Sequence, residues 1–267
     1  MMCPQLKEHT EIVIKDFIRQ KVEESSTCGV VVGLSGGIDS AVVSKLCSDA
    51  IGAGKVLNIF MPSAASSEDD RKDAEAFSKQ FGMEFKVVSI KPVIDAYQKL
   101  LPSPERKNLL GNVMTRARMI ILFHHANLMN RIVMGTSNKS ELLIGYFTKF
   151  GDGGADFSPI GDLYKTEVRE LAVKIDIPRN LIEKVATAGL WVGQTDEGEM
   201  GITYENLDSI LYGIERGLTN EEIVARTGLD AKLVEMVWRK HRASVHKRKM
   251  PLIPKIGVRT LGLDWRE

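Results

Sequence analysis

Cysteine is scarce in this chain: Cys3, Cys28 and Cys47 are an odd number with no CxxC spacing. Neither a disulfide framework nor a zinc site is therefore expected, and a reducing, cytoplasmic setting is. Aromatic residues are only 6% of the 267. Neither sign of charge is in excess: 36 basic side chains meet 35 acidic ones, for a net charge of +1. No general electrostatic case for nucleic acid or a membrane surface therefore exists. Long hydrophobic runs are missing too. The longest candidate, around residues 119–123, is broken by His124 and His125, so no membrane span is expected. The start, Met1-Met2-Cys3-Pro4-Gln5-Leu6-Lys7-Glu8, lacks a basic stretch followed by an apolar one, so no signal peptide is expected. Internal repeats and low-complexity tracts are absent. What remains is an ordinary aliphatic composition, 43% hydrophobic, enough for a substantial core. The length lies at the upper end of what one core supports.

The first two-thirds of the chain alternates between two periods. Residues 29–34, Gly-Val-Val-Val-Gly-Leu, form a continuous run expected of a strand buried on both faces, and 55–61, 84–90 and 131–135 read the same way. Helical patterns lie between them at 39–51, 67–81 and 112–129, and an amphipathic helix over 6–23 precedes the first strand. This alternation implies βαβ crossovers and an α/β fold, a doubly wound parallel sheet with helices on both faces. After about Gly151 the strand signals stop. Asp162-Leu163-Tyr164-Lys165-Thr166 leads into a helix, Pro178 is expected in the first turn of another, and further helices are expected near 204–216, 220–226 and 231–244. The stretch 188–201 is rich in glycine and acid without any period. It reads as a long loop of the kind that serves as a lid or binding segment. A helical C-terminal layer docked on the sheet, in one domain over residues 1–267, is preferred to a separate second domain.

The string Ser35-Gly36-Gly37-Ile38-Asp39-Ser40 ends the first strand and opens a helix. In an open α/β sheet this is where ligands bind. The two glycines let the backbone approach an anion closely. Their N–H groups, with the positive end of the helix, form an anion cradle to which Ser35 and Ser40 add hydroxyls. Asp39 is out of place beside phosphate unless Mg²⁺ lies between them. A lone Gly-Gly pair would be a plain strand-to-helix turn with Asp39 as its cap. The whole string in this context favours a nucleotide. No Gly-x-x-x-x-Gly-Lys-Ser/Thr and no Gly-x-Gly-x-x-Gly occurs, which argues against γ-phosphate transfer and against a dinucleotide fingerprint.

The string resembles the pyrophosphate loop of the N-type ATP pyrophosphatases, a group that includes NAD, GMP and asparagine synthetases and tRNA-thiolating enzymes. The resemblance implies a Rossmann-like fold of the adenine nucleotide α-hydrolase type. It also implies cleavage of ATP between the α and β phosphates with adenylation of a substrate oxygen, and places Gly33, Leu34, Ser35, Gly36, Gly37, Ile38, Asp39 and Ser40 at ATP.

Four later segments resemble the NAD synthetases in particular, in the same order along the chain. In Gly135-Thr136-Ser137-Asn138-Lys139-Ser140-Glu141, the resemblance implies that Thr136 meets ATP and Glu141 joins Asp39 on Mg²⁺; alone, Glu141 reads as an acid at a helix start. Gly145-Tyr146-Phe147-Thr148-Lys149-Phe150-Gly151-Asp152-Gly153-Gly154-Ala155-Asp156 is the most specific signature, and implies that Lys149 and Asp156 contact the deamido-NAD substrate. Gly111-Asn112-Val113-Met114-Thr115-Arg116-Ala117-Arg118-Met119 departs from the family at Met114-Thr115, where a lysine-alanine pair is common. It implies that Arg116 contacts the dinucleotide, while Arg118 either supports it or is a surface charge. In the fourth group Lys165 and Thr187 correspond to ATP contacts and His246-Lys247 to a deamido-NAD contact, reaching across a homodimer interface. The pair His124-His125 is read as structural.

The implied activity is ATP- and Mg²⁺-dependent amidation of deamido-NAD through an acyl-adenylate. Lys165 acts on the phosphates, Asp156 is a candidate base towards ammonium, and the segment 189–201 closes over the intermediate. The resemblance runs from about Ile12 to Pro251 and leaves no room for an amidase domain, so free ammonia, or a separate partner that supplies it, is the expected nitrogen source. Other readings are a tRNA thiolase or GMP synthetase-like enzyme, or a non-catalytic ATP-binding protein. The first would need reactive cysteines or an RNA-binding appendage, which are not evident; the paired acids Asp39 and Glu141 argue against the last.

Overall fold

The β-branched run after Gly29 becomes an inner strand of a parallel sheet. The computed structural model describes residues 2–63, 66–101, 107–191 and 193–260. Helix α1 (Thr10–Glu24) leads to β1 (Val30–Gly33), α2 (Ile38–Ile51), β2 (Val56–Phe60), α3 (Glu68–Gln80) and β3 (Glu84–Val87). Then come α4 (Lys91–Leu100), α5 (Lys107–Leu128) and β4 (Ile132–Met134). The strand order is β3-β2-β1-β4, with every neighbouring pair parallel. The chain moves outward from β1 to β3 and then returns to the other side of β1. That reversal opens a crevice at the carboxyl ends of β1 and β4, as expected at a topological switch point.

Beyond β4 the chain is helical: α6 (Lys139–Ile144), α7 (Lys165–Lys174), α8 (Arg179–Ile182), α9 (Asp196–Met200), α10 (Tyr204–Glu215), α11 (Asn220–Thr227) and α12 (Ala231–Ala243), followed by a 3-10 turn over Val245–Arg248. Side chains alternate across the sheet. Val30 and Val32 join a core with α1, α2, α3 and α7, whereas Val31 joins Leu57, Ile59 and Val133 against α4 and α5. Each fully buried aliphatic side chain contributes about 1.5–3 kcal/mol, so an acidic residue at Val31 would destroy this layer. A third apolar cluster of Ile144, Tyr204, Leu207, Ile210, Leu211 and Ile223 fastens the C-terminal helices to α6. The Rossmann-like α/β architecture with a helical C-terminal layer is thus as expected. All three cysteines are free. Among the described residues, no helix is long and apolar enough to cross a membrane.

Several local expectations need correction. The stretch 84–90 does not form a strand buried on both faces: β3 is the sheet edge with one neighbour, and Val87 is 47% exposed. Helix α4 was not anticipated, although Pro92 sits in its first turn where proline is favoured. Helix α5 starts five residues before Asn112 and runs through Gly111. A Cβ at Gly111 would lie 2.8 Å from Leu190 Cδ1, so the glycine makes room for the 188–201 segment. Pro178 is the N-cap of α8 and not a residue of its first turn. The segment 188–201 contains α9, capped by Thr195; its Val192 lies outside the described residues, as does Met1.

Candidate active site

The crevice is lined by β1 and the turn after it, by the end of β2, by α5, by the end of β4 and by residues 184–189. Gly33, Leu34, Ser35, Gly36, Gly37, Ile38, Asp39 and Ser40 all line it, with Thr136, Glu141, Lys165 and Thr187. At Gly36 φ is +80°, and a Cβ there would lie 2.6 Å from the Asp70 carbonyl oxygen, so glycine is required both by conformation and by the approach of α3. Ser40 Oγ accepts from Ser35 N at 3.2 Å and donates to Gly37 O at 3.0 Å, while Ser35 Oγ accepts from Gly37 N at 3.2 Å. The turn is therefore held by its own serines. Helix α2 has Gly37 as its N-cap and receives no side-chain cap. Its uncapped amides and positive end face the crevice, an arrangement suited to an anion.

A charged cluster stands beside this turn. Lys165, 2% exposed, donates from Nζ to Asp39 Oδ2 and lies 5.1 Å from the Tyr204 ring centroid. Asn138, fully buried, donates from Nδ2 to Asp39 Oδ1 at 3.2 Å. Asn138 also caps α6 reciprocally with Glu141: Glu141 N donates to Asn138 Oδ1 at 3.0 Å, and Glu141 Oε2 accepts from Asn138 N at 3.3 Å. Tyr204 Oη donates to Asp196 Oδ2 at 3.1 Å and lies 3.3 Å from Glu141 Oε1. Burial pulls the Lys165 ammonium down, but the charges of Asp39 and Glu141 outweigh it and hold its pKa above the usual range. Burial, then the charge of Asp39, pushes the Glu141 carboxyl well above its usual value against the pull of Lys165. Asp196 is raised by burial as well. Three acids thus share one lysine.

The five residues expected at deamido-NAD lie elsewhere: none of Arg116, Lys149, Asp156, His246 and Lys247 is among those lining the crevice. They gather around the loop that follows α6. Arg116 Nη2 donates to Lys149 O at 3.3 Å, and Lys149 Nζ donates to His246 O at 2.8 Å. Lys247 Nζ donates to Gly145 O at 2.6 Å and Phe147 O at 2.5 Å. Asp156 Oδ2 accepts from Val133 N at 2.7 Å, on the outer edge of β4.

Sequence reasoning gave no role to several residues here and left that of Arg118 open. Asp152 lines the crevice, accepts from Thr148 N at 2.8 Å, and is raised by burial. Arg118 also lines it, donating from Nε to Met61 O at 3.1 Å, so it is not a plain surface charge. Lys184, at the base of the 188–201 segment, pairs with Asp70 at 2.6 Å and Asp73 at 2.7 Å on α3. Asn138, three residues before Glu141 at a helix start, was legible as a capping pair. Asp196 carried no local signal beyond Thr195 before a short acidic run.

Comparison with known proteins follows the same line. A family model described as NAD synthase matches residues 11–251. The NH3-dependent NAD+ synthetase of Methanococcoides burtonii is 44% identical over 243 residues, covering 90% of this chain and 92% of that protein. The protein of the same name from Pyrococcus horikoshii is 46% identical over 242 residues, covering 90% and 92%. Among solved structures, the NMN synthetase of Francisella tularensis superposes with a TM-score of 0.83 at 35% identity, over 93% of this chain and 98% of that one. The NH3-dependent NAD synthetase of Campylobacter jejuni, in complex with the nitrate ion, gives 0.79 at 35% identity over the same shares. With a family model spanning most of its length and relatives this similar over nine-tenths of it, the chain belongs to the NAD synthase family.

Proposed function

We propose that this protein is an ammonia-dependent NAD synthetase, a C–N ligase that converts deamido-NAD, ATP and ammonia to NAD, AMP and pyrophosphate. The observation that carries the reading is one crevice lined by the Ser35–Ser40 turn, Asp39, Glu141, Lys165, Thr136 and Thr187. A nicotinate carboxylate oxygen attacks the α-phosphorus of ATP. The bond from that phosphorus to the bridging oxygen breaks, and pyrophosphate departs into the cradle formed by Ser35, Gly36, Gly37, Ser40 and the α2 amides. Lys165 and the cradle are arranged before the reaction, where fixed donors are most effective at stabilising developing charge. Ammonia then adds to the acyl carbon, the bond to the AMP oxygen breaks, and a proton is given up. Each of Asp152 and Asp156 has one oxygen on a backbone amide, but only Asp152 lines the crevice, so it is better placed to accept that proton.

The donor set fits Mg²⁺. Asp39, Glu141 and Asp196 outnumber Lys165 in charge, and the Glu141 carboxyl is pushed up by burial and then by Asp39. Among the described residues no group of three or more acids, histidines or cysteines is arranged as a complete metal site. Two carboxylates completed by phosphate oxygens are what a nucleotide-bound Mg²⁺ ordinarily takes. When bound, the ion would neutralise charge on the phosphates, with Asp39 and Glu141 as its protein ligands.

Arg116, Lys149, Asp156, His246 and Lys247 are proposed to hold deamido-NAD, with the last two serving a homodimer. Exposed apolar residues on α4 and α5, including Leu100, Ile120 (61% exposed) and Leu128 (74%), support a second copy there. The segment 188–201 is proposed to be a mobile lid within a single domain over 1–267, and the three free thiols suit a cytoplasmic enzyme. The test is incubation of the pure protein with deamido-NAD, ATP, Mg²⁺ and ammonium. NAD, AMP and pyrophosphate in equal amounts are expected. Nicotinate mononucleotide is offered in a parallel reaction, because one structural relative is an NMN synthetase. Preference for the mononucleotide would move the substrate; no amide from either would overturn the reading.

A further inference from the structure

Helix α7 caps only part of its own start, through Glu167 Oε2, which accepts from Tyr164 N at 2.9 Å. The preceding residue, Tyr164, supplies no side-chain cap, and its hydroxyl is engaged by Glu215 at 2.6 Å. Helix-start amides left unmet in a protein interior are costly, and here those of Lys165 and Thr166 are met from other elements. Lys165 N donates to Ser140 Oγ on α6 at 2.9 Å. Thr166 N donates to Asp208 Oδ2 on α10 at 2.9 Å. The loop closes because Ser140 Oγ donates to Asp208 Oδ1 at 2.5 Å. Asp208 and Ser140 are both fully buried. One carboxylate therefore uses both oxygens to join the start of α7, which carries Lys165, to the first turn of α6, which carries Glu141.

We propose that Asp208 is a positioning residue for adenylation, acting as an external cap of α7 that aims Lys165 at the phosphates and keeps it in register with Glu141. The proposal rests on the reading above in which Lys165 acts on ATP. A buried carboxylate is expensive to desolvate, and packing alone would favour an apolar side chain of similar size. A carboxylate here makes sense because two fixed donors and the positive end of a helix face it. The carboxylate also lies on the C-terminal layer, so that layer helps to set the geometry of groups carried by the α/β body. An amide at this position could accept from only one of the two donors and would turn its own N–H groups towards the other.

The test is a set of steady-state measurements on Asp208→Asn, Ser140→Ala, Lys165→Ala and the double variant Asp208→Asn/Lys165→Ala. A displacement of Lys165 by a fraction of its bond length from Asp39 is expected to lower kcat about tenfold to 10²-fold in Asp208→Asn. The KM for deamido-NAD should stay within about twofold, because the bonds of Lys149, Asp156 and Lys247 do not involve Asp208, Ser140 or Lys165. Ser140→Ala removes the acceptor of the Lys165 amide and the donor to Asp208 Oδ1 but leaves Thr166 N on Asp208, and should show a smaller loss of the same kind if Asp208→Asn folds poorly. Because Asp208 acts through Lys165, the double variant should turn over as slowly as Lys165→Ala alone, within about twofold. Losses that multiply in the double variant, or an unchanged kcat in Asp208→Asn, would overturn the proposal. Full activity in Lys165→Ala would instead remove the reading of Lys165 on which it rests.

Discussion

The two sides of this site use charged side chains in opposite ways. In the crevice, Asp39, Glu141, Asp196 and Lys165 are directed at one another around an uncapped helix start, and the backbone is supported by Ser35, Ser40, Asn138 and Asp208. Around the loop after α6, charges are spent on backbone carbonyls: Arg116 on Lys149, Lys149 on His246, and Lys247 on Gly145 and Phe147. Arg248 extends the pattern, with Nη1 donating to Leu143 O at 2.7 Å and Nη2 to His241 O at 3.1 Å. The first region is prearranged for an anion. The second is a surface whose cations hold its own shape, so a ligand there must either accept that shape or compete for the same donors.

The contrast breaks first, and most visibly, at Asp39. Asp39→Asn should cut turnover by about 10²–10³-fold, while the melting temperature moves only a few degrees because Glu141 and Asp196 still face Lys165. Equal losses of activity and folding would make Asp39 a structural cap and erase the distinction. In the second region the order is reversed. Arg248→Gln should cost about 1–3 kcal/mol of stability in urea unfolding, through lost carbonyl partners at the ends of α6 and α12, with a smaller effect on kcat once the protein is folded.

A pH experiment sharpens the comparison further. A carboxyl whose folded-state pKa is raised, as for Glu141, leaves stability intact below its ordinary value of 4.5 and removes it as pH rises through the folded value. Metal-free Glu141→Gln should therefore be more stable than the parent protein at neutral pH and equal to it in acid. Asp70, held below its usual value by Lys184 and Ser67 against the cost of burial, contributes in the opposite sense, with stability lost as pH falls. The smallest effect belongs to Lys184→Met, about 1 kcal/mol or less from a partly exposed pair. It should be measurable by denaturation near neutrality and should vanish in strong acid, where Asp70 is protonated.

The order of elements was legible because the strand runs are nearly pure aliphatic and the helices between them are long. Edge position was not: Glu84, Phe85, Lys86 and Val87 pair with a single strand, a fact of topology that no local pattern carries. Short helices such as α9 were hidden by Gly198 inside a glycine-rich stretch. In the site, the Ser35–Ser40 turn could be read because its chemistry is local to one strand end and one helix start. Asp208 and Asp196 could not, because their roles arise only when α10 and the 188–201 segment fold back over α6 and α7. Lys247 shows the complementary limit: the family resemblance implied a ligand contact that residue type alone did not, and its ammonium lies on two carbonyls of its own chain.

The central claim is that a substrate carboxylate is adenylated in the crevice, and the oxygen atoms themselves can report it. Deamido-NAD labelled with heavy oxygen in its nicotinate carboxylate is converted with ATP, Mg²⁺ and ammonium, and the AMP formed is weighed by mass spectrometry. The account predicts one heavy oxygen in AMP and none in pyrophosphate, because the carboxylate oxygen that attacks phosphorus leaves with it. Unlabelled AMP, or ADP and labelled phosphate in its place, would contradict it.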